Sequence, residues 1–247
     1  MLGKRRLILV ALALIAVSAV AVYSLKPNKP NGHGGETAAI IDGLSVEFPN
    51  PEFIKETSEI LMDLGYRVDY YQSSNVTVSL YRKIPAQNYD LIIFRVHSAP
   101  MDPGKSTGVA LFTSEEPPGG YLAEQMLGWV RVAKTLTGGD QYYAVTPSFL
   151  REAVEGEFDG TTIIVMSCFS TIDSTLASIF IEKGAGMFAG WDEKVTSEHM
   201  DQYILEIFRE MDASDIPFTE AAEHVVEEIG SDPVYESRLR IFFARND

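Results

Sequence analysis

The run Thr161-Thr-Ile-Ile-Val-Met-Ser167 is the most β-like stretch of the chain, and Cys168 follows it directly. Most of its residues are β-branched, which favours an extended strand over a helix. The apolar core of the run is continuous rather than alternating, as is typical of a strand that is buried on both faces of a parallel sheet. This strand decides the fold class, and it ends at the only cysteine of the chain.

Similar apolar runs occur on both sides of this strand, and amphipathic segments separate them. The further predicted strands are Thr37–Ile41, Arg67–Tyr71, Tyr89–Val96, Val109–Thr113, Tyr142–Val145, Ala185–Trp191 and Arg238–Phe243. The predicted helices are Pro51–Leu64, Ser148–Val154, Ile172–Lys183, Ser197–Met211 and Thr219–Ile229. Apolar strands that alternate with amphipathic helices predict an α/β fold, with a mostly parallel sheet between helices on both faces.

The amino terminus has the pattern of a membrane signal. Lys4-Arg5-Arg6 precedes an uncharged apolar run, Leu7–Leu25, which is long enough to cross a bilayer as a helix. Residues 1–25 are therefore a signal anchor or, since Ala19-Val20-Ala21 offers a small-residue cleavage site, a signal peptide. An anchor predicts a single-pass protein of the cell membrane with its domain facing outside, and a cleaved signal predicts a secreted one. Residues 26–36, rich in Pro, Asn and Gly, are predicted to be a flexible tether to one α/β domain at 37–247.

The charge and the cysteine count exclude several classes of protein. The whole chain has 35 acidic and 20 basic residues, and the part from Glu36 onward has a net charge of −20. Such a body repels phosphate backbones, so nucleic acid is not an expected partner. One cysteine rules out an internal disulfide and a cysteine-based zinc cluster, and no His-Glu-x-x-His or comparable spacing predicts another metal site.

Three polar or reactive residues fall at the carboxyl ends of predicted strands: Asp42, His97 and Cys168. Sites in open α/β sheets form beyond these strand ends. If the strands that end at His97 and Cys168 are neighbours, a thiol and an imidazole meet in one crevice, which is the minimum apparatus for acyl transfer without a cofactor. The helix predicted from Ile172 would help, since a helix amino terminus stabilises a thiolate.

Cys168 and His97 could instead have only structural roles. A lone cysteine after an apolar strand is more often a small core residue, and a lone histidine is more often a loop residue with ordinary hydrogen bonds. The conjunction of the two favours the site. His199 and His224, in contrast, lie on predicted acidic helices, where they are expected to be solvated surface groups.

The order of these motifs resembles that of the caspase-like cysteine peptidases, which include caspases, clostripain, gingipain, legumain, separase and CHAT domains. That family has a strand ending in His, a variable excursion, a strand ending in Cys, and a further strand rich in small residues. The corresponding stretches here are Leu-Ile-Ile-Phe-Arg-Val-His97-Ser-Ala, Ile-Ile-Val-Met-Ser-Cys168-Phe-Ser-Thr and Gly184-Ala-Gly-Met-Phe-Ala-Gly-Trp191. The resemblance covers about residues 37 to 245 in element order.

The resemblance implies a three-layer sandwich and a peptidase acting on peptides or proteins. By it, Cys168 would be the nucleophile and His97 the general base and acid. The backbone amides of Cys168 and Ser98 would form the oxyanion hole, although the family commonly has Gly at the position of Ser98. Trp191 would lie near the substrate cleft.

Other acidic residues are weaker candidates for the cleft. Asp42, Asp173 and Asp192 each lie just beyond a predicted strand, and either of the last two could receive a basic substrate side chain. Two further hypotheses for the function remain open. One is a peptidase-like binding or scaffold domain without catalysis, and the other is a small-ligand binder that uses Asp42.

Overall fold

The computed structural model describes residues 35–102, 105, 107–135 and 139–244 of the chain. All of these residues belong to one compact unit. The strands are β1 (Thr37–Asp42), β2 (Arg67–Gln72), β3 (Leu91–Arg95), β4 (Ser98–Pro100), β5 (Val109–Phe112), β6 (Val130–Lys134), β7 (Gln141–Val145), β8 (Thr162–Met166), β9 (Met187–Trp191) and β10 (Leu239–Phe243). The α-helices are α1 (Pro51–Asp63), α2 (Val78–Lys83), α3 (Leu122–Met126), α4 (Pro147–Glu152), α5 (Thr175–Glu182), α6 (Ser197–Ser214) and α7 (Phe218–Glu228).

The main sheet has six strands in the order β10-β9-β8-β3-β1-β2. Every neighbouring pair is parallel except β9 and β10, which are antiparallel. The strand at 162–166 lies near the centre of this sheet, and Ile163, Ile164, Val165 and Met166 are all buried. The predicted α/β class and the mostly parallel sheet are confirmed.

Helices cover both faces of the sheet. On one face, α1, α6 and α7 pack on a cluster that includes Ile40, Ile93 and Met166. On the other face, α2, α4 and α5 pack on a cluster that includes Phe94 and Val165. Consecutive residues of a strand point to opposite faces, which is why continuous apolar runs were needed to fill both clusters.

The excursion between β3 and β8 forms a second sheet with the order β4-β5-β7-β6, in which all pairs are antiparallel. The sequence predicted β5 and β7, whose side chains are largely buried, but not β4 and β6. β4 has only three residues, and β6 is mostly exposed, so neither has a clear apolar pattern. β4 begins at Ser98, and the second sheet therefore starts at the predicted site.

Several helix boundaries differ from the prediction. α5 begins at Thr175 rather than at Ile172, because Asp173 bonds the Thr175 N–H in a turn that precedes the helix. The short helices α2 and α3 were not predicted. The predicted anchor at 1–25 and most of the tether at 26–36 lie outside the described residues. Within the described ranges, no helix is both long and apolar enough to cross a bilayer.

Candidate active site

The site begins with the pairing of β3 and β8. The two strands are parallel neighbours, with Arg95 opposite Met166, and the Val96 N–H donates to the Met166 carbonyl at 3.2 Å. His97 and Cys168 each lie two residues beyond this pair. The condition on which the sequence hypothesis depended, that these two strands are neighbours, is therefore met.

The contacts of His97 and Cys168 show where the two side chains lie, because both follow the ends of their strands at Arg95 and Met166. The His97 ring packs near Phe48 and near Phe112 of β5, with centroids 5.9 Å apart in each pair. Cys168 packs against the cluster beneath α1, α6 and α7.

Glu47 holds the imidazole. Its Oε2 lies 2.8 Å from Nε2 of His97, and the two side chains are 29% and 25% exposed. An ionised carboxylate accepts hydrogen bonds only, so with Glu47 ionised Nε2 of His97 would be the donor in this bond. A carboxylate that orients an imidazole is one part of a catalytic triad, and the role of Cys168 as its nucleophile stays a prediction. Glu47 was not predicted as a site residue, because it lies in a turn after β1 that has no apolar pattern.

The surroundings of Cys168 favour the protonated thiol. It donates to the Val195 carbonyl, with Sγ 3.7 Å from the oxygen, and burial raises the pKa of the thiol above its ordinary value. The expectation that a helix amino terminus stabilises a thiolate here is wrong. α5 begins seven residues downstream of Cys168, and the intervening segment is a turn.

The backbone around Cys168 is tightly held. Phe169 has a φ of 61°, which is uncommon for a residue with a side chain, and its N–H donates to the Glu193 carbonyl at 2.9 Å. The Ser98 hydroxyl donates to the Cys168 carbonyl. Such strained positions are often found at functional sites, where the surrounding structure fixes them.

The pairing of β4 with β5 fixes the direction of the Ser98 amide. The carbonyl of His97 accepts from the Phe112 N–H, and the Met101 N–H donates to the Gly108 carbonyl. The odd-numbered residues of this segment thus pair with β5, and the Ser98 N–H points away from β5. The proposed oxyanion roles of Ser98 and Cys168 remain predictions.

Asp42 lies in a buried ionic network rather than at the surface. Its Oδ1 accepts from Nη1 of Arg95 at 2.8 Å, and Asp201 of α6 accepts from Nε and Nη2 of Arg95 at 2.7 and 2.8 Å. Burial opposes the charge of Arg95, but the bonds and charges of Asp201 and Asp42 raise the pKa of its guanidinium. We call Arg95, Asp42 and Asp201 the buried ion network. Both carboxylate oxygens of Asp42 have donors from this chain, since Tyr70 donates to Oδ2.

The other three candidates for the cleft have structural partners. Trp191 is fully buried, with its ring edge-on to His199 and Tyr203. Asp173 accepts from the Gly108 and Thr175 N–H groups, and although burial opposes its charge, these bonds lower the pKa of the carboxyl.

Asp192 is held at the start of β10. It accepts from Nε of Arg240 and from the Arg238 N–H, both at 2.8 Å. The carboxylates of Asp173 and Asp192 therefore already have hydrogen-bond donors from this chain. Their proposed role toward a basic substrate side chain stays a prediction.

His199 departs from its prediction, whereas His224 agrees with it. His199 is 7% exposed, and its Nε2 has no hydrogen-bond partner in the part of the chain that the structure describes. Burial lowers the pKa of its imidazole. The first turn of α6 faces the sheet over Trp191, and the acidic neighbours Glu198 and Asp201 hid this burial in the sequence. His224 is exposed and lies 3.0 Å from Glu210.

One cavity of about 440 Å³ lies beside the buried ion network. Its walls are Asp42, Ser45, the first turns of α1 and Tyr70, and neither His97 nor Cys168 lines it. Among the described residues, no group of three or more His, Cys, Asp or Glu side chains could hold a metal ion. No family model matches the chain, and no curated protein matches it.

Proposed function

We propose that the chain is a cysteine peptidase of the caspase-like class, which hydrolyses peptide bonds through Cys168 and His97 and is tethered at the outer face of the cell membrane by its amino-terminal segment. The observation that carries the proposal is the parallel pairing of β3 and β8, since His97 and Cys168 each follow the paired residues Arg95 and Met166 by two positions, at the carboxyl ends of neighbouring strands. The element order supports the resemblance: a strand before His97, an excursion folded as a second sheet, a strand before Cys168, and then β9.

The raised pKa of the Cys168 thiol decides how the reaction would start. Because burial raises the pKa of Cys168, His97 would act as a general base during attack rather than hold a preformed ion pair. Glu47 would fix the proton on Nε2, so Nδ1 would take the thiol proton. The sulfur would bond to the substrate carbonyl carbon while the carbonyl electron pair moves to oxygen.

The second half of the reaction returns that proton. The imidazolium of His97 would protonate the leaving amine as the carbon–nitrogen bond breaks, which leaves a thioester on Cys168. Water would then attack the thioester with His97 again as base, releasing the carboxylic acid and the thiol. The amides of Ser98 and Cys168 would stabilise the negative oxygen in both steps.

The rate of alkylation of Cys168 by iodoacetamide tests the dyad without knowledge of the substrate. The full chain in mild detergent is compared with His97→Ala between about pH 6 and pH 9, a range that spans the ordinary thiol pKa. We expect faster alkylation of the wild type at the low end of this range, and His224→Ala as the control should match the wild type. Equal rates for wild type and His97→Ala would rule out the dyad.

A binding or scaffold domain without catalysis is the second candidate, and one observation favours it. The thiol hydrogen is engaged by the Val195 carbonyl, and burial suppresses its ionisation. This candidate predicts a slow thiol whose alkylation rate does not depend on His97. The same experiment therefore separates the two functions.

A further inference from the structure

The loop of residues 43–50 carries the two side chains that contact His97 from the β1 side. Glu47 binds Nε2, and the Phe48 ring packs on the imidazole. Residues 43–47 form a turn, in which the Phe48 N–H donates to the Leu44 carbonyl. Ser73 holds the first part of the loop, since its N–H donates to the Ser45 hydroxyl at 2.9 Å. The part that carries Glu47 and Phe48 depends on other contacts.

Arg95 lies beneath this loop and contacts it at several points. Its Nη2 donates to the Phe48 carbonyl at 2.9 Å, and its backbone carbonyl accepts from the Gly43 N–H at 2.9 Å. Its Nη1 binds Asp42, the residue before the loop. Through Asp201 it reaches the end of the loop, because Asn50 Nδ2 donates to Asp201 Oδ2 at 2.9 Å.

We propose that Arg95 is a positioning residue, which fixes the loop of residues 43–50 so that Glu47 stays hydrogen-bonded to His97. Part of this inference, the effect on His97 chemistry, rests on the proposed peptidase function. The Arg95 side chain itself is 1% exposed. It ends β3 and precedes His97 by two residues, so one short segment supplies both the base and the anchor of the loop that orients it.

The chemistry of the side chain explains why an arginine is needed. A guanidinium presents donors in a planar fork, which can bind two carboxylates and a carbonyl at the same time. An ammonium keeps the charge but not the fork. Buried ion pairs seldom add net stability over apolar packing, so the directional bonds of Arg95 are its distinctive contribution.

The first test measures the loop itself. Hydrogen exchange of the amides at residues 43–50 is followed in the full chain in mild detergent, for wild type and Arg95→Lys. We expect exchange of these amides to become several-fold faster in the variant. Arg209→Lys is the matched control, because Arg209 also binds two carboxylates, Glu56 and Glu206, but at the surface. Unchanged exchange in Arg95→Lys would overturn the proposal, whether or not the chain is a peptidase.

The second test asks whether Arg95 acts through Glu47. For each protein, the alkylation rate of Cys168 is measured twice, once with His97 intact and once with His97→Ala added. The ratio of the first rate to the second gives the contribution of His97. Arg95→Lys and Glu47→Ala should each lower this ratio by about 10- to 100-fold, as a small misplacement of a base does. The double variant Arg95→Lys/Glu47→Ala should have a ratio no lower than that of Glu47→Ala alone. If the two losses instead multiply, the residues act independently and the proposal is overturned.

Two outcomes need separate treatment. If Arg95→Lys does not fold, as judged by circular dichroism, Asp201→Asn replaces it, since this variant keeps the shape but weakens the hold on Arg95 and Asn50. If the wild-type rate does not depend on His97, the peptidase proposal fails, and the exchange of residues 43–50 alone decides the role of Arg95.

Discussion

The two sides of the candidate site bury their carboxylates in different ways. On the His97 side, Asp42 and Asp201 are neutralised by the guanidinium of Arg95. On the Cys168 side, Asp232 is fully buried and forms no ion pair with a Lys, Arg or His side chain of the described residues. Its oxygens accept from the N–H and hydroxyl of Thr196 and from the Val234 and Tyr235 N–H groups.

The difference follows from where each carboxylate lies. Asp42 and Asp201 face each other across the end of β3, where two negative charges need a positive one between them. Asp232 accepts from two N–H groups of its own loop, those of Val234 and Tyr235. It also accepts from the N–H of Thr196, the residue before α6. On the Cys168 side, mostly backbone donors hold the buried carboxylate. On the His97 side, one side chain, that of Arg95, neutralises both carboxylates. The His97 side should therefore be the more vulnerable to one substitution.

Arg95→Met should give the largest loss of stability. It leaves two buried carboxylates without a counter-charge, which typically costs about 3 to 5 kcal/mol of the free energy of unfolding. Urea unfolding, followed by tryptophan fluorescence, measures this loss. Arg209→Met is the control and should cost less than about 1 kcal/mol, because that guanidinium is half exposed. Similar losses for the two variants would show that the buried network is no more important than a surface one.

Asp232→Asn should have a smaller effect, since the amide keeps one acceptor oxygen. The loss of the charged acceptor toward Thr196 should cost about 1.5 to 3 kcal/mol in the same unfolding experiment. Asp212→Asn, on an exposed part of α6, is the control and should be near neutral. A loss for Asp232→Asn that exceeds the loss for Arg95→Met would reverse the comparison.

Most of the main sheet could be predicted from the sequence, because burial on both faces demands long apolar runs that stand out from the rest. Cys168 and His97 could be predicted as site residues because each directly follows one of these apolar runs. Glu47 and Asp201 gave no such signal: one lies in a turn, and the other is one of many acids on α6. Arg95 was detectable in principle, since a charge inside Leu-Ile-Ile-Phe-Arg-Val implies a buried partner of opposite sign.

The two histidines on the helices extend the comparison to pH, with the smallest expected effect. Burial lowers the pKa of His199, so the unfolded chain binds its proton more readily, and stability contributed by His199 is lost as the pH falls below its ordinary value of 6.5. The hydrogen bond to Glu210 raises the pKa of His224, so its contribution is present at low pH and is lost as the pH rises through the raised value.

Glutamine at each position removes the titration and isolates these opposite trends. Between about pH 7 and pH 5, His199→Gln should lose less stability than the wild type, because the unfolded variant gains no proton at this position. His224→Gln should lose more than the wild type, since the wild type gains stability from that residue as the pH falls. Thermal unfolding at several pH values measures both slopes. A steeper acid loss in His199→Gln would mean that the imidazole is charged in the folded protein, with Asp232, the carboxylate that acts on it, as the counter-ion. The Cys168 side would then use a cation as the His97 side does, and the contrast between them would disappear.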